Sequence, residues 1–262
     1  MSQNENAKIL VASPTYDGMS YCFESFVNAI KNLDYPKFDV LIVDNSRRKK
    51  FWRIIRNIPN IKVIYDESVE KNNMLRLISS RNKILDYAKQ KKYDYLLMLD
   101  SDVIVPSNII KKLMQSNKDV ISGLYFSYFK TGNKIQLFPV CWKEATNDEY
   151  DIMIKNKLIT EQQLNALKTK GLSLRRFLTR NEILSKKVTN VMIPCGGCLL
   201  LSKNILNSNI KYGVISKKDN FGMKSSDDIY FFKQLVNNGF KLYCDTSVIC
   251  KHKLKGKPKG FD

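Results

Sequence analysis

Four apolar residues, Leu96, Leu97, Met98 and Leu99, stop abruptly at two carboxylates one residue apart, Asp100 and Asp102. A run this short, bounded by polar residues, reads as a buried strand. Carboxylates are rarely buried without a partner. The pair therefore belongs at the carboxyl end of the strand, where open α/β sheets hold their ligands. Two residues apart on extended backbone, both side chains point to one face. Hard oxygen ligands with open positions suit Mg²⁺ or Mn²⁺ carrying substrate phosphates. The plainer reading is a strand end capped by turn-forming aspartates.

The first half of the chain repeats this strand-then-helix pattern. Short apolar runs at 9–12, 39–43, 61–65 and 119–123 read as further strands. Between them, Phe23, Phe26, Val27 and Ile30 share a helical face, a basic helical piece covers 51–58, and a long helix covers 73–88. Pro106 opens another helix through Met114, as proline does at a first helical position. Strands alternating with helices imply βαβ units and a mainly parallel sheet. Three strands run into polar signatures: Ser13-Pro14-Thr15, read as a turn with Tyr16-Asp17-Gly18, then Asp44-Asn45-Ser46 and Asp100-Ser101-Asp102. Parallel order brings those ends to one edge and predicts a nucleotide-type pocket there.

The second half reads differently. Residues 143–187 are polar and helical, an insertion or lid that includes 161–168 and 173–179. Strands are expected at 188–193 and 198–201, separated by Pro194-Cys195-Gly196-Gly197. Ser225-Ser226-Asp227-Asp228 precedes a helix with Ile229, Phe232, Leu235 and Val236 inward and Gly239 as its stop. Short strands at 241–244 and 247–251 close the chain.

A length of 262 residues suffices for one large α/β domain or two small ones, and 44% hydrophobic content argues against a disordered chain. The polar start lacks the apolar core of a signal peptide, and no apolar run reaches the ~18 residues of a membrane span. A soluble, cytoplasmic protein is expected. Its six scattered cysteines read as reduced thiols. Cys195 and Cys198 have zinc-pair spacing but no second pair. The net charge of +19 favours polyanions: nucleic acid, an anionic membrane surface or phosphorylated substrates. Lys251, Lys253, Lys255, Lys257 and Lys259 alternate at the end of the chain, as a solvated tail, a flap over a diphosphate or an arm that touches membrane.

Four further features invite chemistry. Arg81 fills a gap in the apolar stripe Leu75, Ile78, Leu85 and Ala88. A guanidinium there needs an anionic partner, either Asp100 or a bound phosphate, unless it snorkels to the surface. Asp227 and Asp228 are either first-turn acids favoured by the helix dipole or a general base placed after a loop containing Gly213 and Gly222. His252, the only histidine, becomes a candidate third metal ligand beside an acid pair. Gly196-Gly197 is a tight turn or a place where another chain or ligand comes close.

In this order the residues resemble the GT-A glycosyltransferases, especially those of family 2, over roughly 7–254. Pro14, Thr15 and Tyr16 stand where such enzymes begin their nucleotide pocket. Val43-Asp44-Asn45-Ser46 is similar to the second-strand element whose acid holds the base. Ser80-Arg81-Asn82 is similar to their A-R-N helix, and Asp100-Ser101-Asp102 matches the D-x-D motif. Gly196 and Gly197 lead into the strand beside the acceptor. Asp227-Asp228 stands where the family has Glu-Asp, and Lys251-His252-Lys253 matches a late metal-binding histidine.

The resemblance implies one GT-A domain over 1–262, with 143–187 as its insertion and 251–262 as its tail. It implies a metal-dependent, inverting hexosyltransferase. Its donor is a UDP- or GDP-sugar, contacted by Pro14, Thr15, Tyr16, Asp44, Arg81, Asp100 and Ser101. Its Mn²⁺ or Mg²⁺ is held by Asp102, Asp100 and His252, with Asp102 the direct ligand. Its base is Asp228 beside Asp227, and its acceptor is a glycan, glycoprotein or lipid-linked hydroxyl near Gly196 and Gly197. Rival readings are a retaining transferase of the same fold, a sugar-phosphate nucleotidyltransferase, which would carry a glycine-rich basic loop after the first strand, and a basic nucleic-acid-binding protein, for which no recognised motif is present. A basic surface leaves room for peripheral membrane contact.

Overall fold

The structure, a computed structural model, describes residues 6–68, 70, 72–131, 134–169, 174–214 and 227–255. Ser173, Gly222, Ser225, Ser226, Lys257 and Lys259 lie outside the described residues. The first half is β1 (Ile9–Thr15), α1 (Ser20–Lys31), β2 (Phe38–Asp44), α2 (Lys50–Ile55), β3 (Lys62–Tyr65), α3 (Asn73–Gln90), β4 (Tyr95–Leu99), β5 (Val103–Ile104), α4 (Ile109–Gln115) and β6 (Val120–Leu124). Then come β7 (Phe126–Thr131), β8 (Lys134–Pro139), β9 (Trp142–Glu144), α5 (Asn147–Lys155), α6 (Glu161–Thr169), β10 (Arg175–Phe177) and α7 (Arg180–Leu184). The chain closes with β11 (Val188–Asn190), β12 (Cys198–Ser202), α8 (Lys203–Asn207), α9 (Asp227–Asn237), β13 (Tyr243–Ile249) and β14 (Lys251–His252).

Eight strands form the central sheet in the order β11-β13-β6-β12-β4-β1-β2-β3. β1 runs parallel to β2 and β4, β2 to β3, and β6 to β13, while β12 is antiparallel to both its neighbours and β11 to β13. This is the mainly parallel α/β sheet flanked by helices that the alternation predicts. The strands β1, β4 and β12 are buried from end to end or nearly so, which explains the apolar runs at 9–12, 96–99 and 198–201.

Ser13-Pro14-Thr15 belongs to β1 instead of forming a turn. Pairing of β1 with β4 stops at Ala12↔Met98, whereas pairing with β2 continues to Thr15↔Asp44. Pro14 therefore sits where the strand has lost one neighbour, the edge-like position that tolerates a missing N–H. Residues 175–177 form a strand against β9 where a helical reading was expected. In α9 the inward residues are Phe231, Phe232 and Leu235, and Val236 is 53% exposed. The buried residues of the helix are 227, 231, 232 and 235, so 236 falls on the flank of that stripe. The two expected final strands are one, β13, with a register shift between Cys244 and Ile249. The hairpin β7–β8 went unrecognised in the sequence, although Gly132-Asn133 between its strands is a hairpin signal. Gly239 ends α9 with φ +83°, a conformation that favours glycine.

All six cysteines are buried and unpaired. The Cys198 and Cys250 sulfurs approach to 3.5 Å across Gly123, where a Cβ would meet both thiols. They pack as small core residues.

Candidate active site

Parallel topology brings the ends of β1, β2, β3 and β4 to one sheet edge. Because β12 is antiparallel, its start adjoins the end of β4: Cys198 pairs with Leu99, and the Asp100 amide donates to the Gly197 carbonyl at 2.9 Å. The ends of β6 and β13 reach the same edge with Tyr125 and His252. A cleft of about 300 Å³ opens there, lined by Thr15, Tyr16, Asn45, Arg76, Asp100 and Asp102 among others.

Arg81 is the hub. It lies on the inner stripe of α3, whose first turn is capped by the Asn72 side chain accepting from the Met74 amide at 2.8 Å. Its side chain is only 2% exposed. Nη2 donates to Asp100 Oδ1 at 2.6 Å, and Nη1 donates to Asp227 Oδ2 at 2.7 Å and to Asp228 Oδ1. Its guanidinium lies 5.1 Å above the Tyr212 ring. Tyr212 is held by Asn82, which donates to its carbonyl at 3.0 Å and accepts from its amide at 2.8 Å, and it stacks on Phe231 at 4.1 Å. Burial alone would push the Arg81 guanidinium down, but the three carboxylates reverse this and hold it firmly charged.

Three carboxylates against one guanidinium leave the cluster about two negative charges in excess when all are ionised. Burial, with Asp227 and Asp100 adding repulsion, pushes Asp228 up to about 7 against the opposing pull of Arg81. Burial likewise raises Asp100, with Arg81 opposing and Asp102 and Asp227 adding to the rise. The functional reading of Arg81, that it meets Asp100, is what the structure displays, and it gathers Asp227 and Asp228 as well.

Asp102 stands apart from Arg81. His252 Nε2 lies 3.4 Å from Asp102 Oδ2, while Nδ1 lies 3.3 Å from the Phe126 carbonyl. Donation from Nδ1 to that carbonyl leaves Nε2 as the lone-pair nitrogen, facing Asp102. Burial lowers the affinity of the ring for a second proton, but Asp102 and the Phe126 carbonyl outweigh it and raise the pKa. The expected trio of Asp100, Asp102 and His252 does not converge on one point: among the described residues no three such side chains do. Asp100 is drawn to Arg81, and Asp102 with His252 forms a two-residue pair.

Asp44 ends β2 immediately before Asn45, which lines the cleft. It is fully buried, and its Oδ1 accepts from the Ser46 amide at 2.9 Å and hydroxyl at 2.5 Å, while Oδ2 is buried without a partner. Burial raises its carboxyl, with Ser46 and Arg76 opposing. The Thr15 hydroxyl donates to Ser101 Oγ at 3.1 Å, tying β1 to the acid segment.

The sequence matches the description "Glycosyl transferase family 2" over residues 11–208. The chain belongs to glycosyl transferase family 2. A protein of Sulfolobus islandicus rod-shaped virus 1, called uncharacterized protein 209, is 27% identical to it over 126 residues, 46% of this chain and 58% of that one. Among solved structures, Staphylococcus aureus TarS in complex with UDP-GlcNAc aligns with TM-score 0.52 and 18% identity, over 95% of this chain and 60% of that one. The mannosyltransferase PcManGT from Pyrobaculum calidifontis, in complex with GDP-Man and Mn²⁺, aligns with TM-score 0.53 and 16% identity, over 97% and 58%. At such identities the two structures share the fold. The chain covers 58% of the viral protein, 60% of the TarS chain in that structure and 58% of the PcManGT chain.

In this family 2 chain, Gly196 and Gly197 are required by the acids. A Cβ on Gly196 would fall on the Asp228 carboxylate, and one on Gly197 would lie 2.8 Å from Asp100 Oδ2 and 2.9 Å from the Tyr125 hydroxyl. That hydroxyl accepts the Gly197 amide at 3.2 Å and so fixes the turn. Gly196→Ala is expected to displace Asp228 and to destabilise the fold by about 1–3 kcal/mol, as overpacking does. Thermal unfolding checks this: an unchanged midpoint means that the carboxylate yields freely.

Four residues at this edge were not singled out from sequence. Arg76, Tyr125 and Tyr212 lie within segments whose periodicity marks them only as helix, strand end or loop. Asp66 ends β3 and is buried, bound by Ser80 Oγ at 2.8 Å, the Ser68 amide at 3.0 Å and Lys83. Burial pushes its carboxyl up, but Lys83, Ser80 and Ser68 together hold it below its ordinary value. Its signal was available, since Tyr65-Asp66 repeats the strand-to-acid pattern of Val43-Asp44 and Leu99-Asp100.

Proposed function

We propose that this chain transfers a hexose from a UDP-sugar to an acceptor hydroxyl, with inversion, at the edge that carries Arg81. The observation that carries the reading is the carboxylate cluster around Arg81 with Asp102 and His252 beside it, at a cleft lined by Asn45, Asp100 and Asp102.

Asp102 and His252 fit a hard divalent ion: one carboxylate oxygen and one lone-pair nitrogen face each other, and Mg²⁺ or Mn²⁺ needs few protein ligands when waters and phosphates complete its shell. Such an ion supplies neutralisation of the departing diphosphate. Arg81 orients Asp100, Asp227 and Asp228, and its own charge is consumed by them. Asp228, held near neutrality, takes the proton of the acceptor hydroxyl, and the alkoxide-like oxygen attacks the anomeric carbon from the face opposite the leaving group. Gly196 and Gly197 let the Asp228 and Asp100 carboxylates pack directly on the turn, on the side proposed for the acceptor. Pro14, Thr15, Tyr16 and Ser101 line the donor side. A glycan, glycoprotein or lipid-linked acceptor fits this arrangement.

The base follows from Asp44. Its Oδ1 is saturated by Ser46, and its orphan Oδ2 asks for one N–H donor. Uracil presents a single ring N–H flanked by carbonyls, and Arg76 lines the same cleft as a donor for one of them. Guanine presents two adjacent donors, which suit a carboxylate with both oxygens open. Titration calorimetry with Mn²⁺ is expected to give binding of UDP at least about tenfold tighter than GDP, with Asp44→Ala losing about 1–3 kcal/mol toward UDP. Slow Mn²⁺-dependent hydrolysis of UDP-sugars accompanies binding. Equal binding of both diphosphates, or an unaffected Asp44→Ala, removes the base assignment. Absence of any nucleotide-sugar binding removes the transferase reading.

A further inference from the structure

The net charge of +19 favours polyanionic partners. In the insertion, Arg176 is neutralised internally: it pairs with Glu149 at 2.5 Å and Glu182 at 2.7 Å, and Lys143 also pairs with Glu182. A different segment concentrates charge. Residues 47–62 carry seven Lys or Arg, Arg47, Arg48, Lys49, Lys50, Arg53, Arg56 and Lys62, and no Asp or Glu. They leave the carboxyl end of β2 just past Asn45, run through α2 and enter the edge strand β3.

α2 packs inward through Phe51 and Ile55, an i, i+4 pair. The opposite face carries Lys50, Arg53 and Ile54, at helical spacing and all exposed, with Arg48 and Arg56 exposed beside them. Among the described residues, Arg48, Lys50, Arg53 and Arg56 have no carboxylate within ion-pair distance; Lys49 has Glu67 at 2.8 Å. Ile54 is 68% exposed in the middle of these cations. An isolated exposed isoleucine is ordinary. Flanked by lysine and arginine on one helix face, it matches the chemistry of an interfacial contact, with cations for headgroup phosphates and an apolar tip for the acyl boundary.

We propose that this face of α2 docks on an anionic lipid bilayer. A nucleic-acid strand matches the charge but not the rest. Stacking platforms are what single strands use, and the Trp52 ring here is covered by Arg56 at 4.9 Å and meets Tyr65 edge-on. Docking through residues 48–56 brings the sheet edge that bears the donor cleft to the membrane surface, because Asn45 lines that cleft and the basic segment begins beyond it. A lipid-borne acceptor would meet the site there. The docking surface itself does not depend on the transfer reading.

The test is co-sedimentation of the whole chain with vesicles of phosphatidylcholine alone or mixed with phosphatidylglycerol. The chain is expected to pellet only with the anionic vesicles, less so as salt rises. Reversing three cations, K50E/R53E/R56E, weakens retention at least about tenfold. Ile54→Ser weakens it about threefold with the charge unchanged. The variants keep wild-type UDP binding, so failure of docking is distinct from failure of the donor site. Equal retention of the triple variant, equal retention on neutral vesicles, or tighter binding to a single-stranded RNA oligonucleotide than to anionic vesicles overturns the proposal.

Discussion

Asp228→Asn is expected to lower sugar transfer by about 10²–10⁴ while UDP binding persists, because it removes the proton acceptor and keeps the shape of the side chain. The pH profile tells this apart from a structural defect. Burial, with repulsion from Asp227 and Asp100, places Asp228 at about 7 in the folded chain against 3.8 for an ordinary carboxyl. A base must be unprotonated to act, so wild-type kcat/KM should climb as pH passes through about 7, and the limb belongs to the coupled cluster as a whole. The residual activity of the asparagine variant should lack that limb.

Stability moves the opposite way. A folded-state pKa raised above the unfolded value gives stability that is complete below about pH 4 and is lost as pH rises through about 7. Asparagine does not titrate, so the variant should be no less stable than wild type at pH 8. A full-rate Asp228→Asn enzyme, or a limb that survives in it, assigns the proton transfer to another group.

The fold was legible because burial and periodicity agree in its centre. Residues 96–99 and 198–201 are buried on both faces in a mixed sheet, and such strands have to be continuous apolar runs. The acids that follow Val43 and Leu99 were legible for the converse reason, since charge cannot continue into that core. Arg81 was visible as a misfit on an apolar stripe. What periodicity did not carry was which acid goes with which cation. Asp100 and Asp102 sit on the same segment, yet one is held by Arg81 and the other faces His252, a division decided by β5, β14 and the Gly197 turn. The strand at 175–177 was hidden because its pairing with β9 is short and its residues, Arg175-Arg176-Phe177, alternate too little to announce it. Tyr212 was hidden because its role depends on α3 and α9 meeting in space.

Arg81→Met tests the hub directly. Methionine fills the space but leaves Asp100, Asp227 and Asp228 facing one another without a cation. Breaking a buried pair from one side costs about 3–5 kcal/mol because the remaining charge is uncompensated. Here three carboxylates lose the same partner, so the upper end of that range is expected at pH 8. The deficit should shrink on acidification. Without Arg81, repulsion and burial raise the Asp100 and Asp228 carboxyls further above their unfolded values, and stability from such groups is present at low pH and lost as pH rises. Unfolding by denaturant at pH 5 and pH 8 should therefore show a gap to wild type that is narrow at the first and wide at the second. Arg81→Lys sharpens the reading. One ammonium keeps the charge but cannot divide itself as Nη1 and Nη2 do, the first serving Asp227 and Asp228 and the second Asp100. It should recover part of the stability and little of the transfer activity, since Asp228 loses its orientation. If Arg81→Met is as stable as wild type at pH 8, the three carboxylates are not held by Arg81, and the order of the whole edge rests on Asn82, Tyr212 and the glycine turn instead.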